Sequence, residues 1–154
     1  MPPATMLFRV LAVTAVVLLL AQPAVPDSPP PKLHGQTLDD EAILLPDAAS
    51  GKVTLLLVGA SRKGGELTGV WKDHFLTDFG SNPHATYYVI ALLENVSASD
   101  EIVWKRYLGM RDDSLPGVLL LDESGRPRWS YSGVYDPEHY RALKMMITAA
   151  LEDP

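Results

Sequence analysis

The sequence predicts an α/β domain with a central mixed sheet, its elements in the order β-α-β-α-β-β-α and its helices flanking the sheet. Three observations predict it. Two continuous β-branched and leucine-rich runs, KVTLLLVGA from Lys52 and ATYYVIALLE from Ala85, have the composition of strands buried on both faces, which belongs to parallel pairing. Each is followed by apolar residues at helical spacing, so strand, helix and strand make a βαβ unit with a right-handed crossover. A third run, PGVLLL from Pro116, passes through Glu123-Ser124-Gly125 into RPRWSYSG, the pattern of a hairpin.

Ahead of the first strand, HGQTLDDEAILLPDAASGK reads as an irregular lead-in, with Pro46 and Gly51 as breakers. The first helix is expected over Glu66–Phe79, where Leu67, Val70, Trp71, Phe75 and Phe79 share a face and GSNP from Gly80 supplies the stop. The second spans Ser97 to Gly109. Ser97 with Asp100 forms an N-cap pair, Val103, Trp104, Tyr107 and Leu108 form the apolar stripe, and Gly109 is the C′ residue. In the second hairpin strand Trp129 and Tyr131 face the core, while Arg128, Ser130 and Ser132 face water. Asp136-Pro137 then caps a terminal helix that buries Tyr140, Leu143, Ile147, Ala150 and Leu151.

The chain has 154 residues and a net charge of −6, enough for one domain and no more. Its basic residues are scattered among acidic ones, which excludes the clustered basic face that nucleic acid requires. Residues 1–24 have the layout of a signal peptide: Arg9, an apolar run from Val10 to Ala21, then prolines. That run falls short of the roughly 20 residues of a membrane-spanning helix, so an uncleaved anchor is the weaker reading. The expected destination is periplasmic or extracellular, with membrane contact only through this segment if it is retained. Residues 25–32 read as a proline-rich linker forming an extended tether, and residues 33–154 as the domain. Asn95-Val96-Ser97 matches a glycosylation acceptor.

The junction VGASRKGGELTGVW, residues 58–71, is where an α/β domain most often carries chemistry. Ser61, Arg62, Lys63, Gly64, Gly65 and Glu66 are read as a polar glycine turn leading into the helix. Free amides with Arg62 and Lys63 would suit an anion, but no phosphate-binding signature is present and a plain tight turn is the stronger reading. Glu66 complements the helix dipole. His34, His74, His84 and His139 lack metal-ligand spacing, and Asp73, His74 and Asp78 offer only dispersed donors. Met110, Met145 and Met146 read as packing residues rather than soft ligands. No metal or cofactor is expected.

Three stretches carry a likeness to a known fold. LPDAASGKVTLLLVGAS resembles the lead-in and first central strand of thioredoxin-like and peroxiredoxin-like extracytoplasmic proteins. LPGVLLLDESGRPRW is similar to their proline-strand-hairpin signature, with Pro116 where the family has its cis-proline, and GVYDPEHYRALKMMITAAL resembles their closing helix. A narrower likeness, in SRKGGELTGVW, YYVIALLENV and LGMRDD, is to bacterial relatives of the mitochondrial ATP synthase assembly factor of the same fold. It implies a binding or assembly role.

The resemblance places the family's Cys-x-x-Cys on Lys63-Gly64-Gly65-Glu66, or within one or two positions of it. The chain contains no cysteine. Thiol-disulfide exchange needs a thiolate at a helix N-terminus and a second thiol to resolve the mixed disulfide, and a peroxidase needs at least the first. No catalytic residue is therefore assigned. The expectation is a redox-inactive, cysteine-free envelope protein that binds a protein or peptide through residues 61–66 together with Leu115 and Pro116. Leu115 and Gly117 would shape an apolar groove with Trp71, although Trp71 reads first as a core residue. The alternative is a redoxin-type oxidoreductase or antioxidant enzyme working through a metal or a partner's cysteine. A third reading is a structural subunit of an envelope assembly.

Overall fold

The computed structural model describes residues 25–36, 42–92 and 96–153. The signal-like segment 1–24 and Asn95 lie outside them. The elements are β1 (Leu33–Gln36), β2 (Ala42–Leu45), a 3-10 turn at Asp47–Ala49, β3 (Val53–Gly59), α1 (Arg62–Phe79), β4 (Ala85–Ala91), α2 (Ala98–Tyr107), β5 (Gly117–Leu121), β6 (Pro127–Ser132) and α3 (Pro137–Glu152). Among the described residues no helix is long and apolar enough to cross a membrane.

The central sheet runs β4-β3-β5-β6. β3 pairs parallel with β4 and antiparallel with β5, and β5 pairs antiparallel with β6, so the sheet is mixed as expected. Every residue of β3 is buried, and alternate side chains divide between two layers. Val53, Leu55 and Leu57 pack with Trp71 and Phe75 of α1 and with Leu143 and Ile147 of α3. Leu56 and Val58 pack on the other face with Trp104 and Leu108 near α2 and with Leu33 and Leu45.

The caps explain where the later helices start and stop. Asp136 accepts from the amides of Glu138 and His139 at 3.0 Å each, with Pro137 at the first helical position where its missing N–H costs nothing. Gly109, at φ +64°, ends α2: its amide donates to Arg106 O at 3.1 Å and the Met110 amide to Lys105 O at 2.9 Å. This is the Schellman pairing of a glycine C′ residue.

The structure corrects several sequence expectations. The lead-in contains a hairpin, β1 on β2 with Leu33 opposite Leu45, and both leucines are buried under the sheet. β4 is an edge strand rather than one covered on both sides, with Val89 51% exposed. On α2, Val103 is exposed while Trp104 is buried; on β6, Ser130 is buried rather than wet. α1 begins at Arg62, four residues before Glu66, because Ser61 caps it. The cis bond among the described residues is Leu45–Pro46, so the bond into Pro116 is trans. Residues 25–32 do not stand away as a tether: Pro30 is buried, and the Tyr107 hydroxyl donates to Ser28 O at 2.7 Å.

Candidate functional site

At the C-terminal end of β3 the chain turns through Ala60 and Ser61 directly into α1. Ser61 has extended backbone at φ −148° and its Oγ accepts from the Gly64 amide at 3.0 Å, satisfying one of the free N-terminal amides of the helix. The same hydroxyl donates to Asp113 O at 2.6 Å, tying the helix start to the loop before β5. The Gly65 amide already closes the first helical bond, to Ser61 O at 2.8 Å. Lys63-Gly64-Gly65-Glu66 is therefore helix and not a turn.

The glycines are there for close packing. A Cβ on Gly59 would lie 2.6 Å from Gly65 Cα, and one on Gly64 would lie 2.7 Å from Asp113 O. Real side chains do not approach backbone that closely, so strand end, helix start and loop meet only because these positions lack side chains.

The facing loop is held by its own polar groups. Asp112 Oδ1 accepts from the Ser114 amide at 2.8 Å. The Ser114 hydrogen bonds, helped by the charge of Lys63, hold the Asp112 carboxyl below its usual value. Lys105 Nζ reaches Asp113 Oδ1 at 2.7 Å and Glu101 Oε1 at 3.5 Å, and these carboxylates raise the lysine pKa, Asp113 first. Pro116 is buried with its carbonyl accepting from the Gly133 amide at 3.0 Å, and Leu115 is half-buried.

The two candidate stretches are thus neighbours, with Leu115 O 3.5 Å from the space a Gly64 side chain would fill. Arg62, Lys63 and Glu66 are exposed, and the Arg62–Glu66 pair at 3.3 Å lies in water, where such pairs contribute little. Trp71 does not line a groove with Leu115 and Gly117. It is fully buried among Trp129, Tyr131, Tyr135 and Tyr140, with Nε1 donating to Gly133 O at 3.4 Å. Lys105, Asp112 and Asp113 lie beside the candidate stretch, and no spacing in the sequence marks them. They reach it through the α2 C-terminus and the loop that follows.

Chemically, Ser61 stands where a helix N-terminus would activate a thiolate, two residues before Lys63. A hydroxyl has one proton, and that proton is committed to the Asp113 carbonyl. A carbonyl cannot serve as the general base that a serine nucleophile needs. Among the described residues no three histidine or acidic side chains converge as a metal site.

No protein-family model matches the sequence, and no curated protein matches it. Solved structures do match its shape. A DsbE-type thiol:disulfide interchange protein of Chlorobium tepidum superposes with TM-score 0.59 at 17% identity, covering 82% of this chain and 97% of that one. Peroxiredoxin Q of Xanthomonas campestris gives 0.55 at 15% identity, over 77% and 92%. The exposed lipoprotein thioredoxin of Streptococcus pneumoniae gives 0.50 at 15% identity, over 75% and 99%. The fold is thioredoxin-like. The narrower likeness to an ATP synthase assembly factor finds no support among these structures.

Proposed function

We propose that this cysteine-free thioredoxin-like chain is a redox-inactive domain located outside the cytoplasm that binds a protein or peptide over the N-terminus of α1 and the loop from Asp112 to Pro116. The observation that carries the reading is Ser61. The position a redox protein of this fold needs for a thiolate holds a hydroxyl spent on a cap and on the Asp113 carbonyl, so the junction is built as a joint and not as a nucleophile. Around that joint the exposed Arg62, Lys63 and Glu66 lie beside half-buried Leu115, a mixed polar and apolar surface suited to a polypeptide. The signal-like residues 1–24 and the exposed lipoprotein among the structural neighbours support the location.

Two measurements test it. The purified protein is expected to reduce insulin disulfides and peroxides no faster than a boiled control; turnover above that control would favour an enzyme using a metal or a partner's cysteine. A photoreactive residue at Lys63 is expected to capture a defined protein in cells, whereas one at Lys144 on α3 captures only background. Equal capture at both positions would leave the α1 junction without a binding role.

A further inference from the structure

The two edges of the central sheet are built differently. β6 carries the features that block strand addition: Pro127 at its start, Arg126 just before it and Arg128 within it, and a register break opposite Leu120 and Leu121. β4 carries none of them. Its seven residues, ATYYVIA, include no charge and no proline, and its register with β3 runs unbroken from Val53↔Ala85 to Gly59↔Ala91. Among the described residues no strand pairs with its outer side, and Val89 is 51% exposed. In a chain with 21% charged residues and a net charge of −6, an uncharged edge is what two identical molecules need to approach without repulsion.

The hydrogen-bond pattern fixes what this edge offers. His84 O accepts from the Val53 amide and the Leu92 amide donates to Gly59 O, so even-numbered residues of β4 turn their backbone groups toward β3. The odd-numbered residues Tyr87, Val89 and Ala91 turn theirs outward. Antiparallel pairing of two copies about an axis at Tyr88 puts Tyr87 opposite the partner's Val89 in hydrogen-bonded pairs. Ala85 then meets the partner's Ala91, and no residue of the strand is left over. The exposed valine gains an aromatic neighbour, a favoured cross-strand combination.

We infer that this chain dimerises through β4, antiparallel about a two-fold axis at Tyr88, joining two four-stranded sheets into one. The contact is isologous and closes on itself, so it makes a dimer and not a fibre. It lies on the strand edge, separate from the α1 junction, and does not depend on the function proposed there.

The test uses the chain as its host processes it. Sedimentation velocity across roughly 1–100 μM, the range in which weak self-association is read, is expected to show a dimer. Val89→Lys, which puts a charge on the edge as natural edge strands do, is expected to weaken dimerisation at least about tenfold with its circular dichroism unchanged. Met145→Lys, at a position of α3 that faces solvent, is expected to leave it intact. A monomer at the highest concentration, or an undiminished Val89→Lys dimer, overturns the inference. The absence of cysteine gives a second arm that reads the register. Tyr88→Cys is expected to form an intermolecular disulfide, because the two copies of residue 88 face each other across a non-hydrogen-bonded pair. Ala91→Cys is expected to form none, its two copies lying six strand positions, about 20 Å, apart. A disulfide at 91 without one at 88 would overturn the register.

Discussion

Gly59, Gly64 and Gly65 are adjacent in space and differ in what they tolerate. A methyl on Gly59 would run into Gly65 backbone at 2.6 Å, whereas a methyl on Gly65 would meet nothing within 4 Å. Gly59→Ala is therefore expected to destabilise by about 1–3 kcal/mol through overpacking. Gly65→Ala is expected to stabilise by about 0.5–1 kcal/mol, since alanine is the better helix residue in open space. Chemical denaturation at unchanged m-value reads both, and a stabilised Gly59→Ala would mean that strand and helix do not need this approach. Ser61→Ala is expected to cost about 1 kcal/mol as a lost cap. Sequence reasoning did single out residues 61–66, but two glycines of poor helix propensity hid the start of α1. What it could not reach was the close packing behind Gly64, because the Asp113 carbonyl it meets lies some fifty residues further along the chain.

At the scale of elements, α1 and α3 are joined by a polar clasp over their shared apolar layer. The Tyr140 hydroxyl donates to Asp78 Oδ2 at 2.7 Å and Lys144 Nζ lies 3.1 Å from Oδ1, while His74 stacks on Tyr135 with ring centres 4.1 Å apart. The Tyr140 hydrogen bond first, then Lys144, holds the Asp78 carboxyl below its ordinary range. A lowered folded-state pKa contributes stability that is fully present above the unfolded value, about 3.9, and is lost as pH falls through the folded value. Asp78→Asn is thus expected to lower the melting temperature at neutral pH and to flatten its fall below about pH 4. An unchanged acid limb would show that other carboxylates dominate it. The helical stripe of α3 and the caps at Ser97 and Asp136 were legible because period and cap are local properties of the chain. The edge position of β4 was not, since an apolar run reads alike in a central strand and in one whose outer side lies open.

Across the whole molecule, residues 25–32 act as a strap laid over α2 and beside the β5–β6 turn. Ser28, Pro29 and Pro31 line a shallow groove with Val103, Arg106 and Tyr107, and Lys32 lies 3.9 Å from Asp47. Composition suggested a free tether because proline, serine and aspartate bury little. Yet a proline-rich strand is already extended before it docks, so ordering it costs little and a few contacts suffice. Burial pushes the Tyr107 hydroxyl up to about 12, so it stays protonated and donates to Ser28 O across the neutral range. Tyr107→Phe keeps the ring in the groove and removes that donor, a loss of about 0.5–1.5 kcal/mol carried almost wholly by the strap. Trypsin is expected to cut after Lys32 several-fold faster in this variant, because the bond becomes accessible only when the strap lifts. The fluorescence of buried Trp71 and Trp104 is expected to stay as in the wild type. Equal cleavage rates would mean that Pro30 and the groove hold the strap without the hydroxyl. Faster cleavage accompanied by altered tryptophan emission would mean that the strap is part of the core's own cooperative unit.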